Sequence, residues 1–378
     1  MEFGLNQVQR MYRDQLRTYV EDNVIGENAT WDDDEGFPED VWADLCELGV
    51  VGLSIPEEHG GEGLDPITAG VVYEELGRGD VGFATLVLAE NLVNHLLAAY
   101  GSERHREIAM ANANGDVHLA FALTEPDHGS DAQAIETTAE RDGDGWILTG
   151  EKTAITGATT AGHVLTYACE TDSDGIRAFL VPTAADGVEC KPYPALGCEV
   201  SGWGQVHLDG VRADGDALVS EDNGFRMAMQ TFDKSRAWIG LYCLGAARQT
   251  LEETQQYLVD REAFGKPLAG YEGPQFQMAE LETHLDAARL KAYEALWRAR
   301  EGKPHTKDAA MVKWYAPQIA TRTIHECLVL HGHYGYSKDF GIEKRLRDTI
   351  GLEIGDGTPH VQKLIVARET FGTEYLPY

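Results

Sequence analysis

The stretch HLAFALTEPDHGSD, residues 118–131, marks the point where the chain changes its periodicity. Its first six residues are a short apolar run of the kind that fills a buried strand, and Pro126 and Gly129 then force a turn. Further β-type runs follow, GWILTG, HVLTYAC, IRAFLV and GQVHLDGV, separated by acidic glycine-rich turns, DGDG at 142–145 and DSDG at 172–175. Such spacing is that of antiparallel hairpins, so the middle of the chain reads as a β-domain.

On either side the pattern is helical. Residues 3–24 and 39–48 carry broken apolar periodicity, and 67–76 sets its acidic residues to one side. Between them the prolines and glycines of GLSIPEEHGGEGLD, 52–65, require a loop. After Gly224, Leu244, Ala247, Leu251 and Leu258 recur by threes, fours and sevens, and Leu281, Leu285, Ala288, Ala292 and Ala295 repeat the step, which is the seam of a packed bundle. Gly265 with Pro267 closes the first of these helices, and Gly302 with Pro304 the second. The expected fold class is α+β: an N-terminal helical domain (1–117), a middle antiparallel β-domain (118–223) and a C-terminal four-helix bundle (224–378).

The 63 acidic against 31 basic residues, a formal charge of −32, are dispersed along the chain rather than gathered in a tail. That is the pattern of a strongly hydrated surface on a folded protein, and a salt-rich cytoplasm would screen its self-repulsion. Nucleic acid is not expected as a partner, because no basic patch offsets phosphate repulsion. A membrane is not expected either: no run approaches the roughly 18 apolar residues of a span, and the charged start MEFGLNQVQRMYRDQ has no signal-peptide core. The six cysteines are scattered without a CxxC pair, so they read as reduced.

Two motifs invite a chemical reading. The Gly129-Ser130 turn after a strand offers backbone N–H groups to an anion such as a pyrophosphate, or is a plain turn, and it lacks the GxGxxG of a nicotinamide site. His331 and His333 form an HxH pair with no third ligand at useful spacing, so no metal is expected.

The segment FALTEPDHGSD, 121–131, resembles the flavin-binding signature of acyl-CoA dehydrogenases, and three other stretches resemble that family in the right order: GLSIPEEHGGEGLD at 52–65, REAFGKPL at 261–268 and EIGDGTPHVQKLIVARE at 353–369. The resemblance spans nearly the whole chain. It implies FAD as cofactor, an acyl-CoA substrate, an electron-transfer flavoprotein as acceptor, and a homotetramer. It further implies that Asp356 is the base removing the α proton while a hydride leaves the β carbon for flavin N5. A carboxylate facing an acyl chain and a flavin should have a raised pKa. Without the resemblance, Asp356 before Gly357 and Thr358 reads as a helix N-cap.

By the same resemblance, Phe121, Leu123, Thr124, Gly129 and Ser130 would surround the flavin ring and pyrophosphate, with Ile155 and the Thr156 hydroxyl near N5. Arg261 and Phe264 would reach the flavin of a neighbouring subunit. Glu272, Val329, Gly332 and His333 would meet the adenine end, and Thr358 and His360 would lie over the flavin and its adenine portion. Ser130, Asp233, Arg236 and Gly357 would contact the acyl-CoA.

The chain also departs from the family pattern. The usual glutamate base is Asp356, and the position where some members keep theirs is Ser235. The tryptophan beside the flavin is Ala154, the glutamine after the Arg-x-x-Phe-Gly turn is Glu272, and the Gln-x-x-Gly-Gly loop reads VLHGHYGY at 329–336. The aspartate and Ala154 motivate, as an alternative within the same activity, a branched or alicyclic acyl-CoA substrate. An oxidase is less expected, because the long C-terminal extension of acyl-CoA oxidases is missing; the alternative of a flavin-binding scaffold or nucleic-acid-associated relative that has lost dehydrogenase activity is opposed by the kept carboxylate at 356 and by the acidic surface.

Overall fold

A computed structural model describes residues 4–29, 31, 37–173, 175–220 and 223–375, so Phe3, read above as the start of the first helix, lies outside the described residues. Among the described residues five helices precede a seven-stranded sheet and five follow it, the α+β class expected.

The first five are α1 (Gln7–Asn23), α2 (Glu39–Glu47), α3 (Pro66–Gly79), α4 (Val81–Tyr100) and α5 (Glu103–Ala113). Local chemistry sets where they start. Asn6 and Gln9 form a capping box on α1, Asp65 caps α3 with Pro66 in its first turn, and Asp80 accepts the Phe83 N–H at 2.8 Å to cap α4. One expectation needs correcting at α4, whose 20 residues are long and apolar enough to cross a membrane by length and composition. Yet 83% of that span is buried inside the protein, since α3, α5, α6 and the first strand pack around it. A helix apolar on all sides needs neighbours on all sides.

The sheet comprises β1 (Leu119–Ala122), β2 (Thr138–Asp142), β3 (Gly145–Ile155), β4 (His163–Glu170), β5 (Ile176–Pro182), β6 (Val188–Pro192) and β7 (Gly204–Ala213). The DGDG segment makes the β2–β3 hairpin with Asp142 opposite Gly145. In the DSDG segment Asp174 lies outside the described residues, and β4 and β5 pair antiparallel on either side of it. The sheet is mixed, not purely antiparallel as expected: one edge of β4 runs parallel to β1 over 163–166 and to β2 over 169–170. Residues 123–137 between β1 and β2 are long enough for a crossover, so β4 inserts where a tight turn would have paired sequence neighbours.

The chain ends with α6 (Gly224–Asp260), the hairpin of β8 (Glu262–Ala263) and β9 (Lys266–Pro267), then α7 (Glu272–Arg300), α8 (Thr306–His331), α9 (Ile342–Ile354) and α10 (Pro359–Phe371). Leu281, Leu285, Ala288, Ala292 and Ala295 form the buried seam of α7. The expected four-helix bundle has a fifth helix, α9, packed on α6 and α8, because Gly341 and Gly355 bound a short amphipathic segment that the periodicity of the long helices hid.

Helices α3 and α6 meet at glycines. A Cβ on Gly77 would lie 2.0 Å from the Tyr242 carbonyl oxygen, and one on Gly245 2.1 Å from that of Glu74. Since backbone cannot yield as a side-chain tip can, Gly77→Ala is expected to destabilise by about 1–3 kcal/mol. A urea midpoint unchanged from wild type would show that the helices have room.

Candidate active site

Asp356 sits in the loop between α9 and α10, where it takes φ +53° and the following Gly357 +96°. Left-handed backbone at a non-glycine residue is uncommon, and here it is held from one side. The Gln362 side-chain amide donates to the Asp356 carbonyl at 3.0 Å and to that of Gly357 at 3.2 Å. The helix cap is Thr358, whose hydroxyl accepts the Val361 N–H at 3.4 Å, so Asp356 is not the N-cap. Its carboxyl is thereby released from local duty. The Asp356 backbone N–H has no acceptor among the described residues.

Across from this loop runs the middle of α6. The buried Ser235 hydroxyl lies 3.5 Å from Asp356 Oδ2 and 3.2 Å from the Phe232 carbonyl oxygen, to which it donates. Burial pushes the Asp356 carboxyl above the usual aspartate range, while Lys313, Arg236 and the Ser235 hydroxyl pull it back. Arg236 is buried and pairs with Asp233 at 2.9 Å, leaving its Nε without a partner. The other Asp233 oxygen accepts from Thr306 at 2.5 Å. Lys313 was missed in the sequence. Its only signal there is a lysine at core-facing spacing among Ala309, Ala310, Val312 and Ala316 of α8.

The strand side reaches the same place through aromatic rings. Phe121 of β1 lies 5.5 Å from Phe232, one turn before Ser235, and 5.2 Å from Tyr167. Beyond β1, Leu123 is buried, and the two candidate segments are tied together: the Thr153 N–H donates to the Thr124 carbonyl at 2.9 Å, and the Lys152 ammonium to that of Leu123 at 3.2 Å. Lys152 is wholly buried, is pushed down to about 8 by burial, and pairs with Glu125 at 2.7 Å. The half-buried hydroxyls of Thr124 and Thr156 have no partner among the described residues, whereas Ile155 is buried and the Gly129-Ser130 turn is exposed. Ala154 holds φ +57° within the irregular pairing of β3 with β7. Free hydroxyls on adjoining segments beside an aromatic ring suit a large planar cofactor with hydrogen-bonding edges.

The remaining candidates form a separate, exposed group. Arg261 ends α6, Phe264 is 98% exposed in the β8–β9 turn at φ +50°, and Glu272 opens α7. Val329, Gly332 and His333 are exposed at the end of α8, and His360 in the first turn of α10. No hydrogen bond or ring contact links any of these to Asp356. The two histidines of the HxH pair face different surroundings. His331 is buried against Tyr257 at 4.2 Å with its Nδ1 donating to the Cys327 carbonyl, while His333 packs on Tyr334.

Three family models cover most of the chain: acyl-CoA dehydrogenase N-terminal domain at residues 6–112, middle domain at 120–211 and C-terminal domain at 222–371. The chain is 34% identical to the mitochondrial short-chain specific acyl-CoA dehydrogenase of Bos taurus, over 96% of its own length and 90% of the relative's. Among solved structures, butyryl-CoA dehydrogenase from Megasphaera elsdenii superposes with a TM-score of 0.93 at 28% identity, covering 98% of this chain and 100% of that one. A glutaryl-CoA dehydrogenase from Mycobacterium smegmatis in complex with FADH2 also has a TM-score of 0.93 at 28% identity, covering 97% and 95%.

Proposed function

Because the chain belongs to the acyl-CoA dehydrogenase family, we propose that it catalyses FAD-dependent α,β-dehydrogenation of an acyl-CoA thioester to the 2-enoyl-CoA, with Asp356 as the base. The observation that carries this reading is the Asp356 carboxyl set 3.5 Å from the Ser235 hydroxyl, joined through Phe232 to the Phe121 segment. Thr124 and Thr156 would hold the flavin ring with their free hydroxyls, and the Gly129-Ser130 turn its pyrophosphate. When bound, the flavin supplies the acceptor for the hydride leaving the β carbon.

The chain's own residues supply the rest. Asp356 takes the α proton onto its carboxylate, and its unpartnered backbone N–H donates to the thioester oxygen as negative charge builds there. Asp233, Arg236 and Gly357 would orient the acyl-CoA beside it. The purified protein is expected to be yellow and to bleach when mixed anaerobically with a substrate from an acyl-CoA panel. A colourless protein that cannot be reconstituted with FAD would end the proposal.

A branched or alicyclic acyl group is a variant of this reading. Asp356 is one methylene shorter than glutamate, about 1.5 Å of reach, so either the α carbon comes closer to the loop or the acyl group has a different shape. A clear preference for straight short and medium chains in the same panel would remove this part alone.

An electron-transfer flavoprotein is the proposed acceptor, and peroxide formed in step with turnover would favour oxygen instead. The exposed Phe264, Phe276 and Val329, 98%, 68% and 60% accessible, fit burial in a homotetramer, where Arg261 and Phe264 would reach a neighbour's flavin. The charge of −32 fits a salt-rich cytoplasm. Sedimentation at low and molar salt tests both, since a monomer under each condition would contradict the tetramer, and an assembly and unfolding midpoint indifferent to salt the other.

A further inference from the structure

Lys313 is wholly buried in the middle of α8. Its ammonium donates to the Leu352 carbonyl at 2.7 Å, in the last turn of α9, and makes no other hydrogen bond among the described residues. A buried ammonium carries three N–H donors and a desolvation cost of several kcal/mol, so a single carbonyl does not account for its presence. What faces it does. Among the opposite charges acting on Lys313 that of Asp356 is the strongest, and Lys313 is the strongest cation acting on Asp356.

We propose that Lys313 is a positioning residue for the base: anchored to α9 through Leu352, four residues ahead of Asp356, its charge holds the carboxylate in the ionised form that accepts the proton. The inference rests on Asp356 being that base. Other charged and titratable groups meet at the same point. From α6 come Asp233, Arg236, Tyr242 and Cys243, from α9 Glu353 and from α10 Arg368. Burial pushes Tyr242 and Cys243 upward, so both stay neutral, and Arg236 is offset by Asp233 at 2.9 Å. Arg368 pairs with Glu369 at 3.0 Å, and Glu353 opposes the effect. Lys313 is therefore the cation least compensated by a partner of its own. Burial pushes it down to about 8, while the Asp356 charge pushes it back up.

The test is the pH dependence of kcat/KM in flavin-loaded Lys313→Met and Lys313→Arg. In the methionine variant the acid limb should move up by roughly one pH unit, a loss of about tenfold at low pH that closes at high pH, while arginine keeps the limb in place. A uniform loss at every pH with the limb unmoved would reduce Lys313 to a structural tie and overturn the inference. Should the methionine variant fail to accumulate with flavin, arginine decides: an unmoved limb supports the inference and a displaced one overturns it. Asp356→Asn separates the two levels. Full turnover in that variant sinks the base assignment itself, whereas lost turnover beside an unmoved Lys313→Met limb sinks only the role of Lys313.

Discussion

Asp356→Asn is expected to lower turnover by about 10²–10⁴-fold while leaving the flavin spectrum and the fold intact. The amide has nearly the same shape, so Gln362 still grips the two loop carbonyls and Thr358 still caps α10. What disappears is the group that can take a proton. The same carboxyl predicts the direction of the pH profile. With its pKa raised by burial, kcat/KM should be lost on the acid side along a limb above the ordinary aspartate value of about 3.9. For stability the sign is opposite to that of a salt-bridged carboxylate. The native state holds this proton more tightly than the unfolded chain does, so the contribution is present below the unfolded pKa and is lost as pH rises through the folded one. Undiminished turnover in the asparagine variant, with flavin bound, would place the base elsewhere.

Lys344→Met is expected to cost about 3–5 kcal/mol of stability, because it strands two buried carboxylates. The ammonium of Lys344 lies 2.6 Å from Asp80 and 2.7 Å from Asp348, and all three side chains are almost fully buried. Asp80 also caps α4 and accepts from Asn28 at 3.2 Å, while Asp348 accepts the Cys198 N–H at 2.6 Å. One lysine thus joins the first helices, the loop before β7 and α9. Its charge serves two carboxylates unequally. Asp80 is drawn below the usual range by Lys344 and by the Phe83 and Asn28 donors that offset its burial, whereas burial and the neighbouring Asp80 push Asp348 up. In the variant both should take up protons more readily, so the deficit measured in urea should shrink from pH 7 to pH 5. A loss under about 1 kcal/mol at pH 7 would mean that water or rearrangement compensates the stranded charges.

Much of this protein was legible before any coordinates. Apolar spacing by threes and fours marks α6 and α7, glycine-rich acidic turns mark the β2–β3 hairpin, and short motifs in order point to the family and to Asp356. These signals are local, each set by residues within about a helical turn or a tight turn of one another.

Other features depend on partners far apart in the chain. Ser235 meets Asp356 across 121 positions, and Lys344 meets Asp80 across 264. Nothing in the neighbourhood of either residue announces its partner, just as nothing near β4 announces that it runs parallel to β1. Tertiary structure likewise decided that Thr358 caps α10, leaving Asp356 free, and that Lys313 reaches the last turn of α9 just before that loop. Periodicity records which side of an element is buried; only the packed chain determines what that side is buried against.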